Sequence, residues 1–117
     1  MSFTLFHNPR CSKSRQALAL LEAHEKPVNI RRYLDETPSL EELKSLFKLL
    51  GLKDVRLMMR KGEEAYKAHN LSDAKVTQDQ LLDAIVEHPK LLERPILIKG
   101  NEAARIGRPP ETILEIL

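Results

Sequence analysis

The stretch that decides the fold lies near the start of the chain, where residues 3–21 read FTLFHNPRCSKSRQALALL. It begins with a short apolar run that stops at Asn8-Pro9, which predicts a buried strand followed by a tight turn. From Ser12 the apolar residues recur at helical spacing until about Glu25. The chain therefore opens with a strand that leads directly into a helix.

A second strand is predicted after this helix. Val28 and Ile30 alternate with Asn29 and Arg31 beyond the break at Pro27, and alternation of apolar and polar residues is typical of a strand. Two strands joined by one helix form a right-handed βαβ unit. We therefore expect the first two strands to run parallel.

The middle of the chain carries two helix-start signals. Ser39 with Glu42, and Thr77 with Gln80, have the spacing of a capping box, in which two side chains satisfy backbone N–H groups at the start of a helix. These signals predict that the stretch of about residues 38–90 is a helical insertion.

Further signals set the limits of the helices in this insertion. Gly51 can adopt a positive φ, so we expect it to end the helix that begins at Ser39. Shorter helical segments are predicted at about residues 54–60 and 63–69. The helix that begins at Thr77 should stop before Pro89, because the residue before a proline disfavours helical geometry.

The last part of the chain returns to strands. Residues 95–98 form a predicted strand, Gly100-Asn101 a turn, and residues 103–106 the partner strand, before a short helix that begins near Pro109. The order β-α-β, helical insertion, β-β-α is expected of an α/β, thioredoxin-like fold with a mixed sheet of four strands. We predict one domain over residues 1–117, with the insertion between the second and third strands.

Composition narrows the class of protein. The chain has 117 residues, is 42% hydrophobic and 31% charged, and carries a formal net charge of +2, which is typical of a globular domain. So balanced a charge disfavours a nucleic-acid or membrane-surface partner. No apolar run approaches the ~18–20 residues that span a bilayer, and the N-terminus lacks the pattern of a signal peptide. We expect a cytoplasmic protein.

Cys11 is the one cysteine of the chain. An intramolecular disulfide is therefore impossible, and zinc sites built on Cys-x-x-Cys are excluded. The four histidines show no tight pairing in sequence, so we expect no metal site. The chemistry expected of this chain is that of a single thiol.

The surroundings of Cys11 favour a reactive thiolate over a buried structural cysteine. The predicted junction of strand and helix would present unpaired backbone N–H groups to the sulfur. Arg10, Lys13 and Arg15 add positive charge on the same turn, and the Ser14 hydroxyl, like that of Ser12, could donate to the sulfur. Such a setting lowers the pKa of a cysteine, and it also forms an anion site.

Arginines are the candidate anion ligands. Arg94 precedes Pro95, and in a thioredoxin-like fold the proline before the third strand is typically cis and lies against the active-site cysteine. This topology brings Arg94 towards Cys11. Arg60 and Arg108 are further candidates, although most arginines are simply solvated on the surface.

Together these segments resemble the glutaredoxin-coupled arsenate reductase family, over nearly the whole chain. With Ser12-Lys13 after the cysteine, the chain resembles the chromosomal, arsenate-reductase-like branch of that family. The segments that carry the resemblance are His7-Asn8-Pro9-Arg10-Cys11-Ser12-Lys13-Ser14-Arg15, Tyr33-Leu34, Met59-Arg60-Lys61, Glu87-His88-Pro89, Glu93-Arg94-Pro95-Ile96 and Arg108-Pro109-Pro110-Glu111.

The resemblance implies an enzyme and a role for each site residue. Cys11 would attack arsenate and form a thioester-like cysteine–arsenate intermediate, with glutathione as co-substrate, glutaredoxin as partner and no bound cofactor. The absence of a second cysteine agrees with an external thiol as the electron source. The implied oxyanion ligands are Arg60, Arg94 and Arg108; His7 would favour the thiolate, Ser14 would bond to the sulfur, and Arg15 and Pro95 would support the site.

Two other functions stay open at this point. Cys-Ser-Lys-Ser is a Cys-x-x-Cys motif without its second sulfur, which also fits a monothiol, glutaredoxin-like oxidoreductase. The chain is similar as well to the Spx regulators, which share this fold and bind RNA polymerase. Those regulators usually carry a redox-switch Cys-x-x-Cys, and Ser14 excludes a disulfide switch here.

Overall fold

The computed structural model describes residues 2–117 and contains a four-stranded mixed sheet. Its strands are β1 (Phe3–Phe6), β2 (Val28–Arg31), β3 (Ile96–Lys99) and β4 (Ala103–Ile106), in the order β2-β1-β3-β4. Strand β2 is parallel to β1, whereas β3 is antiparallel to both β1 and β4. The predicted fold class and all four strands are thereby confirmed.

Helices and 3-10 segments alternate with these strands along the chain. No helix within residues 2–117 is both long and apolar enough to cross a bilayer. The α-helices are α1 (Ser12–Ala23), α2 (Leu40–Leu50), α3 (Glu64–Ala68) and α4 (Gln78–Glu87), and the 3-10 segments are Val55–Met58, Pro89–Leu91 and Pro110–Ile116.

Both capping boxes form as predicted. The Ser39 hydroxyl accepts from the backbone N–H of Glu42, whose carboxylate accepts from the N–H of Ser39, each at 3.1 Å. Thr77 and Gln80 repeat this exchange at the start of α4. Gly51 ends α2 with a left-handed φ of 67°, a conformation that strains residues with a Cβ.

Two predicted helical segments are shorter or tighter than expected. Residues 54–60 were expected to be one helix, but only Val55–Met58 are helical, because Met59 pairs with Leu92 and the N–H of Arg60 donates to the Leu91 carbonyl. The C-terminal segment is a 3-10 helix rather than an α-helix. It begins at two consecutive prolines, which supply no backbone donors.

The described chain divides into two compact units. The first holds residues up to Glu36 together with Arg94–Leu117, and thus the whole sheet and α1. The second, Thr37–Glu93, holds α2, α3 and α4 and includes the stretch of about residues 38–90 for which a helical insertion is predicted. The insertion is therefore a compact body with its own buried side chains, among them Leu43, Met58 and Ile85.

The core of the first unit lies between the sheet, α1 and the C-terminal 3-10 segment. Phe3 and Leu5 of β1 and Leu97 of β3 face Ala17 and Leu21 of α1, with the 3-10 segment closing the cluster. Four of these five side chains, Leu5, Ala17, Leu21 and Leu97, are fully buried. This packing fixes the N-terminus of α1 at the end of β1.

Strand β2 has an exposed apolar side chain, since Ile30 is 46% exposed. Because β2 is an edge strand of the sheet, it is paired on one side only, with β1.

Candidate active site

Cys11 occupies the N-cap of α1, at the junction that the sequence predicts. Its backbone is extended, with φ −92° and ψ 124°, so the helix begins at the next residue. The Cys11 N–H donates to the Asn8 carbonyl at 2.9 Å, and the Cys11 carbonyl accepts from the Arg15 N–H at 3.0 Å. The cysteine is thereby held on both sides, and 9% of its surface is exposed.

The thiol of Cys11 lies in an electropositive setting. Burial, the largest influence, would raise its pKa, but the combined opposing effects are larger and the pKa of Cys11 is lowered. These effects are hydrogen bonds from the backbone N–H groups of Ser14 and Lys13 and the charges of Arg94 and Arg108. The thiolate is therefore favoured relative to an ordinary cysteine.

Arg108 reaches the sulfur directly. Its Nη2 lies 3.8 Å from Cys11 Sγ, and its Nε donates to the Arg94 carbonyl at 2.9 Å. The second contact ties the two arginine segments together beside the thiol. The Arg94–Pro95 peptide is cis, as predicted, and so is Arg108–Pro109.

The backbones at Pro95 and Gly107 approach each other closely. The Gly107 N–H donates to the Pro95 carbonyl at 2.8 Å. A Cβ at position 107 would lie 2.8 Å from Pro95 Cγ and 3.2 Å from Ile113 Cγ2. Only glycine therefore fits between the proline that precedes β3 and the C-terminal segment.

The loop that carries Cys11 is braced by its own polar groups. Asn8 Oδ1 accepts from the Arg10 N–H at 3.0 Å, and Arg15 Nη1 donates to the Pro9 carbonyl at 2.9 Å. Arg15, which is predicted to support the site, thus binds the loop through its side chain. Asn8 was not among the predicted site residues, although an Asn-Pro pair after a strand is a turn signal that points to it.

His7 and Ser14 form a buried pair beside this loop. His7 Nδ1 lies 2.8 Å from Ser14 Oγ, and Ser14 Oγ also accepts from the Asn8 N–H at 3.0 Å. The resemblance implies a serine bonded to sulfur, and the part of Ser14 that bonds to Cys11 is its backbone N–H. The pKa of His7 is lowered by burial and by the charges of Arg32 and Arg15.

Arg60 belongs to the second compact unit, Thr37–Glu93. Its Nη1 donates to Glu63 Oε1 at 2.6 Å, and both side chains are partly exposed. Its backbone N–H is held by the Leu91 carbonyl at 2.7 Å. Glu63 was not predicted, although its position three residues after an arginine is a spacing at which opposite charges commonly meet.

Metal-ligating side chains do not gather in the described structure. Among residues 2–117, no group of three or more His, Cys, Asp or Glu side chains is placed to hold a metal ion. The groups that meet at Cys11 are its thiol, the backbone N–H groups of Ser14 and Lys13 and the guanidinium groups of Arg94 and Arg108, which form a donor set for an anion.

Comparison with known protein families gives one match. The model of the ArsC family matches residues 6–116. The chain belongs to the ArsC family. The matched range includes Cys11, Arg94 and Arg108, the three residues that meet at the thiol.

Individual proteins are similar to this chain over nearly their full length. An arsenate reductase of Haemophilus influenzae is 52% identical over 117 residues, which cover 100% of both chains. An arsenate reductase of Neisseria meningitidis serogroup A is 49% identical over 97% of this chain and 96% of its own. A solved structure named as an arsenate reductase from Vibrio cholerae superposes with a TM-score of 0.96 at 53% identity, covering 100% of this chain and 98% of that one.

Proposed function

We propose that this chain is an arsenate reductase that takes its electrons from glutathione and glutaredoxin. The observation that carries the proposal is the convergence of Arg94 and Arg108 on the Cys11 thiol at the N-terminus of α1. Full-length relatives that bear the name arsenate reductase support the same substrate.

Arsenate suits this site because it is an anion and because its reduction begins with attack by a nucleophile on arsenic. The N–H groups of Lys13 and Ser14 already bond to the sulfur, and the helix N-terminus attracts negative charge. Arg108 can present its planar fork of donors while its Nε stays bonded to the Arg94 carbonyl. We assign Arg60 as the third oxyanion ligand on the family resemblance.

The proposed first step is attack by the Cys11 thiolate on arsenic. An S–As bond forms, and one arsenate oxygen leaves as water once it has been protonated. The arginines stabilise the negative charge that the remaining oxygens carry in the transition state. The product is a thioester-like cysteine–arsenate in which arsenic is still pentavalent.

Reduction requires external thiols, because the chain has only one cysteine. The glutathione thiol displaces a second oxygen of the intermediate as water and forms an As–S bond. The glutaredoxin thiol then attacks the glutathione sulfur, which forms a mixed disulfide and leaves the electron pair of that As–S bond on arsenic, now trivalent. Water cleaves the remaining bond between arsenic and Cys11, and arsenite and the Cys11 thiol are released. In total, arsenate and two thiols become arsenite, one disulfide and water. Arsenic gains the two electrons that the two sulfurs lose, so no bound redox cofactor is needed.

The proposal is tested by leaving out one component at a time. Purified chain, glutathione, glutaredoxin, glutathione reductase and NADPH should oxidise NADPH when arsenate is added, and omission of glutathione or glutaredoxin should stop turnover. If the chain reduced a glutathione mixed disulfide but did not reduce arsenate, the monothiol, glutaredoxin-like function would be favoured instead. Arsenate turnover that persists without glutaredoxin would remove that part of the proposal.

A further inference from the structure

The Ser14 hydroxyl is fully enclosed and has two described partners. Its Oγ lies 2.8 Å from His7 Nδ1 and 3.0 Å from the Asn8 nitrogen, and Ser14 is 0% exposed. A serine hydroxyl has one proton to donate and two lone pairs to accept with. A buried hydroxyl proton without an acceptor destabilises the fold, so this proton must have a partner.

Only one of these two partners can accept the proton. The Asn8 nitrogen is a backbone N–H, which donates to Ser14 Oγ and has no lone pair to offer. The remaining partner is His7 Nδ1, which accepts only when it carries no proton. The alternative, a protonated Nδ1 that donates to Ser14, would leave the enclosed hydroxyl proton without an acceptor.

The surroundings of His7 agree with an uncharged ring. His7 is 5% exposed, and burial disfavours the charged form. The guanidinium groups of Arg32 and Arg15 act in the same direction, so the pKa of His7 is lowered. A positive imidazolium here would face two other cations in a buried place.

We propose that His7 is a neutral imidazole with its proton on Nε2, and that it positions the first turn of α1 rather than placing a positive charge beside the sulfur. The chain of bonds from the Asn8 N–H to the Ser14 hydroxyl to His7 Nδ1 joins the end of β1 to the first turn of α1. That turn carries the N–H groups of Ser14 and Lys13 that bond to the Cys11 sulfur. The relevance to catalysis, but not the assignment itself, rests on the proposed function.

The tautomer can be observed directly in the unmodified protein. Long-range ¹H–¹⁵N correlation spectra of uniformly labelled chain at neutral pH distinguish Nδ1–H, Nε2–H and imidazolium forms. We expect His7 to show a protonated Nε2 and an unprotonated Nδ1. A protonated Nδ1, whether in a neutral or a charged ring, would overturn the assignment.

Two uncharged substitutions of His7 distinguish a positioning role from an electrostatic one. In His7→Asn the amide oxygen can occupy the place of Nδ1 and accept the Ser14 proton, whereas in His7→Gln the acceptor lies one bond further away. We expect His7→Asn to keep the rate of Cys11 alkylation at mildly acidic pH within about twofold of the unmodified protein, and His7→Gln to lower it about tenfold, the equivalent of about one pKa unit.

Equal behaviour of the two variants would contradict the positioning role, because a purely electrostatic role depends only on the lost charge. His24→Gln, at the exposed end of α1, is the matched control and should leave the alkylation profile unchanged. None of these measurements uses arsenate. A chain with the Nε2–H tautomer and no arsenate turnover would therefore remove the proposed function and leave the His7 assignment in place.

Discussion

At the scale of single residues, the reactivity of Cys11 depends on groups that arrive from opposite ends of the chain. The N–H groups of Lys13 and Ser14 come from the same turn, whereas Arg94 and Arg108 are brought by the strands and the C-terminal segment. Local sequence predicts the first set because a helix follows the cysteine directly. The Arg108 contact, which spans 97 positions, depends on the fold, and no local pattern indicates it.

Arg94 should affect both the thiol and the bound oxyanion. In Arg94→Ala, loss of the guanidinium charge should raise the pKa of Cys11, so alkylation at mildly acidic pH should slow. Loss of one oxyanion donor should also lower kcat for arsenate on the order of 10²-fold. The control is Arg105→Ala, which removes a partly exposed arginine that pairs with Glu115. Similar losses in both variants would indicate a general effect of charge rather than a site residue.

A side chain at position 107 should destabilise the fold. In Gly107→Ala the new methyl group would press on Pro95 and Ile113, and overpacking of this kind costs about 1–3 kcal/mol. Urea unfolding measures this change in the free energy of unfolding. Gly62→Ala is the matched control, because nothing lies within 4 Å of a Cβ at that position. Equal stability of the two variants would contradict the described approach of Gly107 to Pro95.

At the scale of elements, the sequence was most informative where one local signal decides the structure. Both capping boxes and the left-handed Gly51 were predicted from residues within a few positions of each other. The end of the Val55–Met58 segment was not, because the pairing of Met59 with Leu92 removes the following residues from the helix. The partner of the Ser14 hydroxyl was missed for a related reason, since it lies on the preceding strand end rather than at the neighbouring sulfur.

The capping box of α2 should contribute measurably to stability. Ser39→Ala removes the hydroxyl that accepts from the Glu42 N–H and should lower the free energy of unfolding by about 1 kcal/mol. Ser45→Ala, on an exposed position of the same helix, should be neutral or slightly stabilising, because alanine is the better helix former. A loss in Ser45→Ala as large as that in Ser39→Ala would show that the cap is not the cause.

At the scale of the whole molecule, the helical insertion is a compact unit with its own polar network. Asp54 caps the Val55–Met58 segment by accepting from the Arg56 N–H at 2.9 Å. The Arg56 guanidinium in turn donates to the carbonyls of Leu71 and Asp73, each at 2.7 Å. These hydrogen bonds join the Val55–Met58 segment to the irregular chain at Leu71 and Asp73.

Asp54 should link the stability of the chain to pH. The Arg56 N–H, foremost, together with the Gln78 and Arg56 side chains, lowers the pKa of Asp54 despite the opposing effect of burial. A carboxyl whose pKa is lower in the folded state stabilises the fold above its unfolded pKa, and this contribution is lost as pH falls below about 4. Asp54→Asn should therefore destabilise the chain at neutral pH and lessen its sensitivity to acid.

Urea unfolding at neutral and acid pH measures both effects. Asp83→Asn, at an exposed position of α4, is the control and should change neither. If Asp54→Asn left the acid dependence of the unfolding free energy unchanged, the hydrogen bonds to Asp54 would not be its source.

The most direct test of the central claim is arsenate-dependent NADPH oxidation, with glutathione, glutaredoxin and glutathione reductase present, for the chain and its Cys11→Ser variant. A hydroxyl is a far weaker nucleophile than a thiolate at neutral pH, so the variant should be inactive while it keeps the fold. Turnover by the unmodified chain that vanishes in Cys11→Ser is the predicted result. Retained turnover in the variant, or none in the unmodified chain, would contradict the proposed function.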